Sequence, residues 1–234
     1  MILEDSLYKE YKDILGEYID HHVLFRADPS VQYSEASTPG HIVGSKYRTK
    51  NTYQFYMRRI SHNPQMLRIA VALMADHISG GIMDNSEHGQ FQFCGLETGS
   101  IPLIAGLQMY YSSLGVDINA FTIRKERKDY GLFNYIEGMP NSLPVVMIDD
   151  LLNSGDSINK ASFIIYHELG LECPMNCYSI IQLNDSIKYS RGEGTFPTSV
   201  PIFLGKEFSK KFDPEKYWLP EDVQKEINKR PEYK

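Results

Sequence analysis

The sequence predicts an α/β protein: a mostly parallel twisted sheet flanked by helices, with a small N-terminal hood. Three observations carry that prediction. Short, continuously apolar runs of strand type recur through the middle of the chain, the most apolar being Val145-Val146-Met147-Ile148. Segments with apolar residues at helical spacing alternate with them, the pattern of a parallel sheet covered on both faces. The third is size. At roughly 150 residues per domain, 234 residues with 42% hydrophobic and 23% charged content can bury one large core without disulfide or metal staples.

The elements follow in order. Residues 5–20 have the period of an amphipathic helix, with Leu7, Tyr11, Leu15 and Ile19 four apart. Residues 27–52 are rich in Ser, Thr, Pro, Gly and Tyr and read as loops with short strands in a cap. A helix over 63–79 aligns Met66, Ile69, Ala70, Leu73, Met74, His77 and Ile78 on one face. Gly80-Gly81 should end it in the left-handed conformation. Phe91-Gln92-Phe93-Cys94 forms a strand leading through a glycine turn into a helix near 101–114, and Ile118 to Ile123 forms another strand. The apolar strand at 145–148 precedes a polar turn and a helix that aligns Ile158, Ala161, Ile165 and Leu169. Strands at 178–183 and 200–204 close the series, and a helix over 219–230 opens at Pro220. The expected organisation is a single domain, with an N-terminal helix and hood (1–60), a core (61–212) and a helical tail (213–234).

Twenty-four basic and thirty acidic residues leave a net charge of −6, poorly suited to nucleic acid or anionic membranes. No stretch approaches the roughly 20 apolar residues a bilayer demands. The start, Met1-Ile2-Leu3-Glu4-Asp5, has neither the basic charge nor the apolar run of a secretory signal. Cys94, Cys173 and Cys177 are too few for a disulfide framework and fit free thiols in a reducing compartment. A cytoplasmic protein whose partners are small molecules or other protein chains is the expectation. His21, His22, His77 and His88 lack tight ligand spacing, which disfavours a metal-binding protein built on them.

The chemistry is concentrated where the apolar strand runs into Asp149-Asp150-Leu151-Leu152-Asn153-Ser154-Gly155-Asp156-Ser157. In an open α/β sheet, ligands bind beyond the carboxyl ends of strands. A small-residue turn at a helix N-terminus offers amides and hydroxyls to an anion. Paired carboxylates beside it would repel a bare phosphate. They suit the hydroxyls of an attached sugar, or a divalent cation shared with it. A capped Asp-Asp helix start is the plainer alternative.

Four apolar residues, two acids, three variable positions and Ser154-Gly155-Asp156-Ser157 resemble the phosphoribosyl-pyrophosphate (PRPP) signature of type I phosphoribosyltransferases. The resemblance implies that Asp149 and Asp150 hold the ribose hydroxyls and that Asn153 through Ser157 cradle the ribose phosphate. Asp156 departs from a phosphate loop's usual preference. Arg124-Lys125-Glu126-Arg127-Lys128-Asp129-Tyr130-Gly131, a cationic island ahead of the loop from Gly131 to Pro144, is similar to the lid of orotate phosphoribosyltransferases, and Ile136-Glu137-Gly138 downstream also fits that family. Cys94-Gly95-Leu96-Glu97-Thr98-Gly99-Ser100-Ile101-Pro102-Leu103 resembles the family's pyrophosphate turn, without the lysine some members carry. Glu97, Thr98, Gly99 and Ser100 would then face PRPP. Lys50-Asn51-Thr52-Tyr53-Gln54-Phe55-Tyr56 is similar to the family's N-terminal segment, which implies that Lys50, Tyr53 and Gln54 line the base pocket.

The resemblance, over residues 45 to 210, implies magnesium-dependent transfer of phosphoribose from PRPP to a pyrimidine base by a homodimer. Arg124, Lys125, Lys128 and Asp150 would be the catalytic groups, and Asp149 and Asp150 the residues toward Mg2+. One departure bears on the base. After strand 178–183 the family has Leu-Asp-Arg, whose arginine grips the carboxylate of orotate, and here the chain reads Leu183-Asn184-Asp185. An anion opposite a carboxylate exchanges attraction for repulsion. Lys188 or Arg191 could replace that arginine, the base could differ, or the fold could bind PRPP as a regulatory module without transfer.

Overall fold

The computed structural model describes residues 3–26, 42–43, 50–51, 53–83, 90–126, 135–172, 174, 176–184 and 198–211, with only the backbone described at 42–43, 50–51 and 82–83. The expected tail helix at 219–230 lies outside the described residues. Helix α1 (Asp5–Tyr18) runs into a π-helical turn (Ile19–Val23) and strand β1 (Leu24–Arg26). Strands β2 (Ile42–Val43) and β3 (Lys50–Asn51) pair antiparallel, and β4 (Tyr53–Phe55) pairs antiparallel with β1. These short ribbons form in the Tyr-, Ser- and Gly-rich stretch.

After a single turn, α2 (Arg58–Ser61), comes α3 (Pro64–Ile78). Its start is set by Asn63, whose Oδ1 accepts the amides of Gln65 and Met66 at 3.0 and 3.1 Å, with Pro64 at the first helical position. The expected apolar face is buried except for the partly exposed His77, and Val71, Ala72 and Ala75 are buried as well, so α3 is enclosed on most sides. Its end corrects the sequence expectation. Gly80 and Gly81 do not terminate it in a left-handed turn, because the backbone continues through a π-helical turn (Ser79–Met83). At Gly81 a Cβ would lie 2.7 Å from the Tyr178 hydroxyl, so close approach is what requires glycine there.

The remaining elements are β5 (Gln92–Leu96), α4 (Ser100–Ser113), β6 (Ala120–Ile123), β7 (Ile136–Gly138), β8 (Val145–Leu152), α5 (Asp156–Leu169), β9 (Asn176–Gln182) and β10 (Thr198–Leu204). They build a six-stranded sheet in the order β10-β9-β8-β5-β6-β7, parallel except for β7, which runs antiparallel to β6. Two features differ from the sequence expectation. Strand β7 lies inside the stretch expected to be loop, because Phe121, Thr122 and Ile123 offer it an unpaired edge. Strand β8 does not stop at Ile148; both aspartates lie within it, since pairing with β9 persists to Leu152.

The sheet divides two cores. Val146 and Ile148 of β8 join α1, α3 and α4 on one face, with Phe93, Leu103, Leu107 and Tyr111. Val145 and Met147 face α5 through Ile158, Ala161 and Ile165. Cys94 and Cys177 flank Met147 in one row across the second face, both buried as free thiols, and desolvation pushes both thiols up. No helix among the described residues is long and apolar enough to cross a membrane.

One polar clamp ties the chain's early and late segments. Arg26, only 2% exposed, donates from Nε to the Ser209 carbonyl at 2.7 Å and from Nη1 to the Asp20 carbonyl at 3.0 Å, and pairs with the Asp20 carboxylate. Removing the guanidinium orphans these carbonyl acceptors and takes from the acid its buried cation. Arg26→Met should therefore lower the unfolding free energy by about 3 kcal/mol in denaturant titrations.

Candidate active site

The sheet order reverses direction between β5 and β8. From β5 the chain crosses to β6, and from β8 it crosses the other way to β9. Such a switch point opens a crevice at the carboxyl ends of the two strands. Two turns bound it, Glu97-Thr98-Gly99 ahead of α4 and Asn153-Ser154-Gly155 ahead of α5. They are held together closely. A Cβ on Gly95 would lie 2.6 Å from the Ile148 carbonyl oxygen, and one on Gly99 would lie 2.4–2.7 Å from the carboxylate of Asp150. The Glu97–Thr98 peptide is cis. The Ser100 hydroxyl is buried and donates to the Leu96 carbonyl at 2.8 Å, so it builds the turn from within.

Asp149 and Asp150 are neighbours on the last part of β8, both partly buried, and the Asp150 amide donates to Asp149 Oδ1 at 2.9 Å. Burial holds the Asp149 carboxyl well above the usual carboxylate range, the charge of Asp150 adds to that, and Lys125 opposes it. Burial also raises Asp150. Two carboxylates this close favour retaining a proton until a cation or a hydroxyl donor arrives. No group of three His, Cys, Asp or Glu fit to hold a metal occurs among the described residues. Two carboxylates alone would hold a hard divalent cation only if a bound ligand and water supplied most of its oxygens.

In the second turn, Gly155 adopts φ +89°, a left-handed conformation that admits glycine readily. The Asp156 amide donates to Ser154 Oγ at 3.4 Å. Asn153, Ser154, Asp156 and Ser157 are exposed, and no side chain caps α5. The N-terminus of the 14-residue α5, the positive end of its dipole, follows directly on the carboxyl end of β8. Asp156, the residue least expected in a phosphate loop, stands as the first residue of α5, where the dipole favours an acid. Asn184 braces the turn from beyond β9, its Nδ2 donating to the Asn153 carbonyl at 2.8 Å and to Oδ1 at 3.2 Å.

Of the expected cations, Arg124 follows β6 and pairs through Nη1 with Glu137 of β7 at 3.0 Å and with Glu97 of the first turn at 3.4 Å. Lys125 is exposed, and its carbonyl accepts from the Lys160 ammonium of α5. Lys128 lies outside the described residues. The residues expected at a base pocket sit on the hood ribbons. Lys50 is in β3, Gln54 is exposed on β4, and the Tyr53 ring packs on Phe55 with the Lys210 ammonium 4.8 Å from its centroid. The described contacts thus bring together Glu97, Gly99, Arg124, Lys125, Asp149 and Asp150, but link none of them to Tyr53 or Gln54. Lys160 enters the site without having been singled out, while Glu137 and Asn184 were noted only within the segments Ile136-Glu137-Gly138 and Leu183-Asn184-Asp185. Glu137 is paired opposite Thr122, two residues before Arg124, a juxtaposition that only strand register creates.

No protein-family model matches the chain. It is 28% identical over 113 residues to an orotate phosphoribosyltransferase of Methanococcus maripaludis, covering 48% of this chain and 56% of that protein. It is 31% identical over 109 residues to the orotate phosphoribosyltransferase of Tropheryma whipplei, covering 46% and 48%. The chain spans about half the length of the curated relatives it matches. Among solved structures it is similar to Mycobacterium tuberculosis orotate phosphoribosyltransferase in complex with inorganic phosphate (TM-score 0.59, 14% identity, 85% and 98% of the two chains). It is likewise similar to the orotate phosphoribosyltransferase of Aeropyrum pernix (TM-score 0.56, 20% identity, 84% and 94%). The fold is that of the type I phosphoribosyltransferases.

The raised Asp149 carboxyl has a consequence for stability. The folded chain binds that proton more tightly than the unfolded chain, so its stabilising contribution is complete below the ordinary carboxylate range and is lost as pH rises through the raised value. Asp149→Asn keeps the acceptor oxygen for the Asp150 amide and removes the buried charge. It should be more stable than the parent at pH 7 by on the order of 1 kcal/mol, as relieved functional strain commonly is. Denaturant titrations across acid to neutral pH should show the advantage shrinking toward the acid end.

Proposed function

From a chain similar in sequence to orotate phosphoribosyltransferases and folded as a type I phosphoribosyltransferase, we propose a pentosyltransferase that moves phosphoribose from PRPP to a pyrimidine base, orotate foremost, releasing pyrophosphate. The observation that carries this is the meeting of a carboxylate pair with a glycine turn at a helix N-terminus, in the crevice between β5 and β8. Asp149 and Asp150 accept the ribose hydroxyls. The amides of Ser154 through Ser157 hold the 5-phosphate, and those of the Glu97–Ser100 turn hold the diphosphate. Asp149 and Asp150 are the residues that would hold magnesium bound with PRPP, which would supply Lewis-acid neutralisation of the diphosphate.

Transfer breaks the bond from the anomeric carbon to the diphosphate oxygen, which leaves with the electron pair. A ring nitrogen of the base forms the new bond and its proton is released. Positive charge grows on the ribose and negative charge on the leaving group. Donors aimed at the latter are the largest expected catalytic contribution. Arg124 and Lys125 have that role, and the resemblance extends it to Lys128, which lies outside the described residues. A homodimer working in the cytoplasm belongs to the same proposal.

A different acceptor base is a second reading, favoured by one observation. The Leu183 amide donates to the Leu152 carbonyl at 2.8 Å and Asn184 braces Asn153, so the chain is at the phosphate turn just before Asp185, where the resembled family has its orotate-gripping arginine.

Incubation with PRPP, magnesium and a panel of free bases, read by pyrophosphate release, tests both. Release with orotate supports the first reading, and release with another base alone supports the second. PRPP binding without release from any base overturns transfer. Lys128→Ala should slow turnover at least about 100-fold with PRPP affinity retained; turnover within twofold of the parent would remove Lys128 from the chemistry. Asp149→Asn combined with Asp150→Asn should abolish magnesium-dependent PRPP binding in calorimetry while the chain stays folded.

A further inference from the structure

Arg124 is the best-described cation of the crevice, and it is already engaged. Its Nη1 meets Glu137 Oε1 at 3.0 Å and Glu97 Oε1 at 3.4 Å, and all three side chains are only 22–40% exposed. A guanidinium already shared by two carboxylates attracts an arriving anion less than a free one would. The backbone around it is fixed. The Arg124 amide donates to the Tyr135 carbonyl at 2.8 Å, and the Glu97 amide donates to the Ile123 carbonyl at 2.8 Å. Only the side chain can change partner. Its Nε is buried and has no hydrogen-bond partner among the described residues. A desolvated, unpaired donor is costly, and an oxyanion reaching it would relieve that cost.

We infer that Glu97 and Glu137 hold Arg124 in a carboxylate bracket from which the diphosphate draws it, so that these two acids set the affinity for the leaving group. This rests on the phosphoribosyl-transfer reading of the same crevice. Glu97 is the natural competitor, since it stands on the turn assigned to the diphosphate and makes the longer contact. Glu137, on β7, keeps the guanidinium near that turn when the ligand is absent. Both are positioning residues that act through Arg124. A bracket of this kind weakens product binding, which favours release of pyrophosphate after transfer.

The test is calorimetry with inorganic pyrophosphate in magnesium buffer on the full chain, carrying Glu97→Gln, Glu137→Gln, Arg124→Met or each Gln change with Arg124→Met. The isosteric Gln changes should each tighten binding about three- to tenfold, the range for partly exposed ion pairs released from competition. In the Arg124→Met background the gain should vanish, since coupled residues are non-additive. A gain that persists without Arg124 would mean simple repulsion by the acids and would overturn the inference, as would unchanged affinity in the Gln variants when the parent binds. A parent chain that binds neither pyrophosphate nor PRPP would remove the transfer reading and the bracket together. A second readout is the Arg124 Nε–H nuclear magnetic resonance signal, which should move on adding pyrophosphate. A stationary signal at saturation would also overturn the inference.

Discussion

The carboxylate of Asp150 lies against the Cα of Gly99, in the space that any side chain at that position would fill. The rest of the crevice depends on this contact. It joins the turn after β5 to the end of β8, which are far apart in sequence and adjacent only because the sheet order brings their strands together. Gly95, four residues earlier, repeats the constraint, with Ser100 and the Ile148 carbonyl in the way of a Cβ. Two crossovers running in opposite directions thus converge without a side chain between them. An acid and a bare stretch of backbone face the same opening.

That arrangement opposes stability. Two partly buried carboxylates share little solvent, and Lys125, an ammonium that opposes their mutual repulsion, is exposed. Arg124, which could neutralise them, is committed elsewhere. Polar side chains set this way in a packed protein are understood through what they bind, since folding alone gains nothing from them. The enclosed helix α3, the Arg26 clamp and the twofold core of aromatic and aliphatic side chains offset that local cost.

Much of this was legible in the residues because the period of the pattern and its chemistry agree. Val145 to Ile148 is apolar at every position, which is what a strand covered on both faces requires, and the acids, the small residues and a helical stripe follow in order. What escaped was set by partners distant in sequence. Strand β7 exists because β6 leaves an edge, and nothing in Ile136-Glu137-Gly138 announces that edge. Gly80 and Gly81 read as a helix stop, whereas Gly81 answers to the Tyr178 ring, almost a hundred residues away. The engagement of Arg124 by Glu97 and Glu137 was hidden for the same reason, since each acid is an ordinary polar residue until strand register brings it near the guanidinium.

Cys94 and Cys177 lie under this site, on the strands either side of β8, and their thiols are fully buried and strongly disfavour ionisation. A small alkylating reagent reacts with the thiolate, so each sulfur stays silent until its strand separates from α5. The rate at which they are labelled is then a clock on sub-global opening of the sheet beneath the crevice. The molecule carries its own gauge of how firmly a ligand above Met147 braces the strands below it.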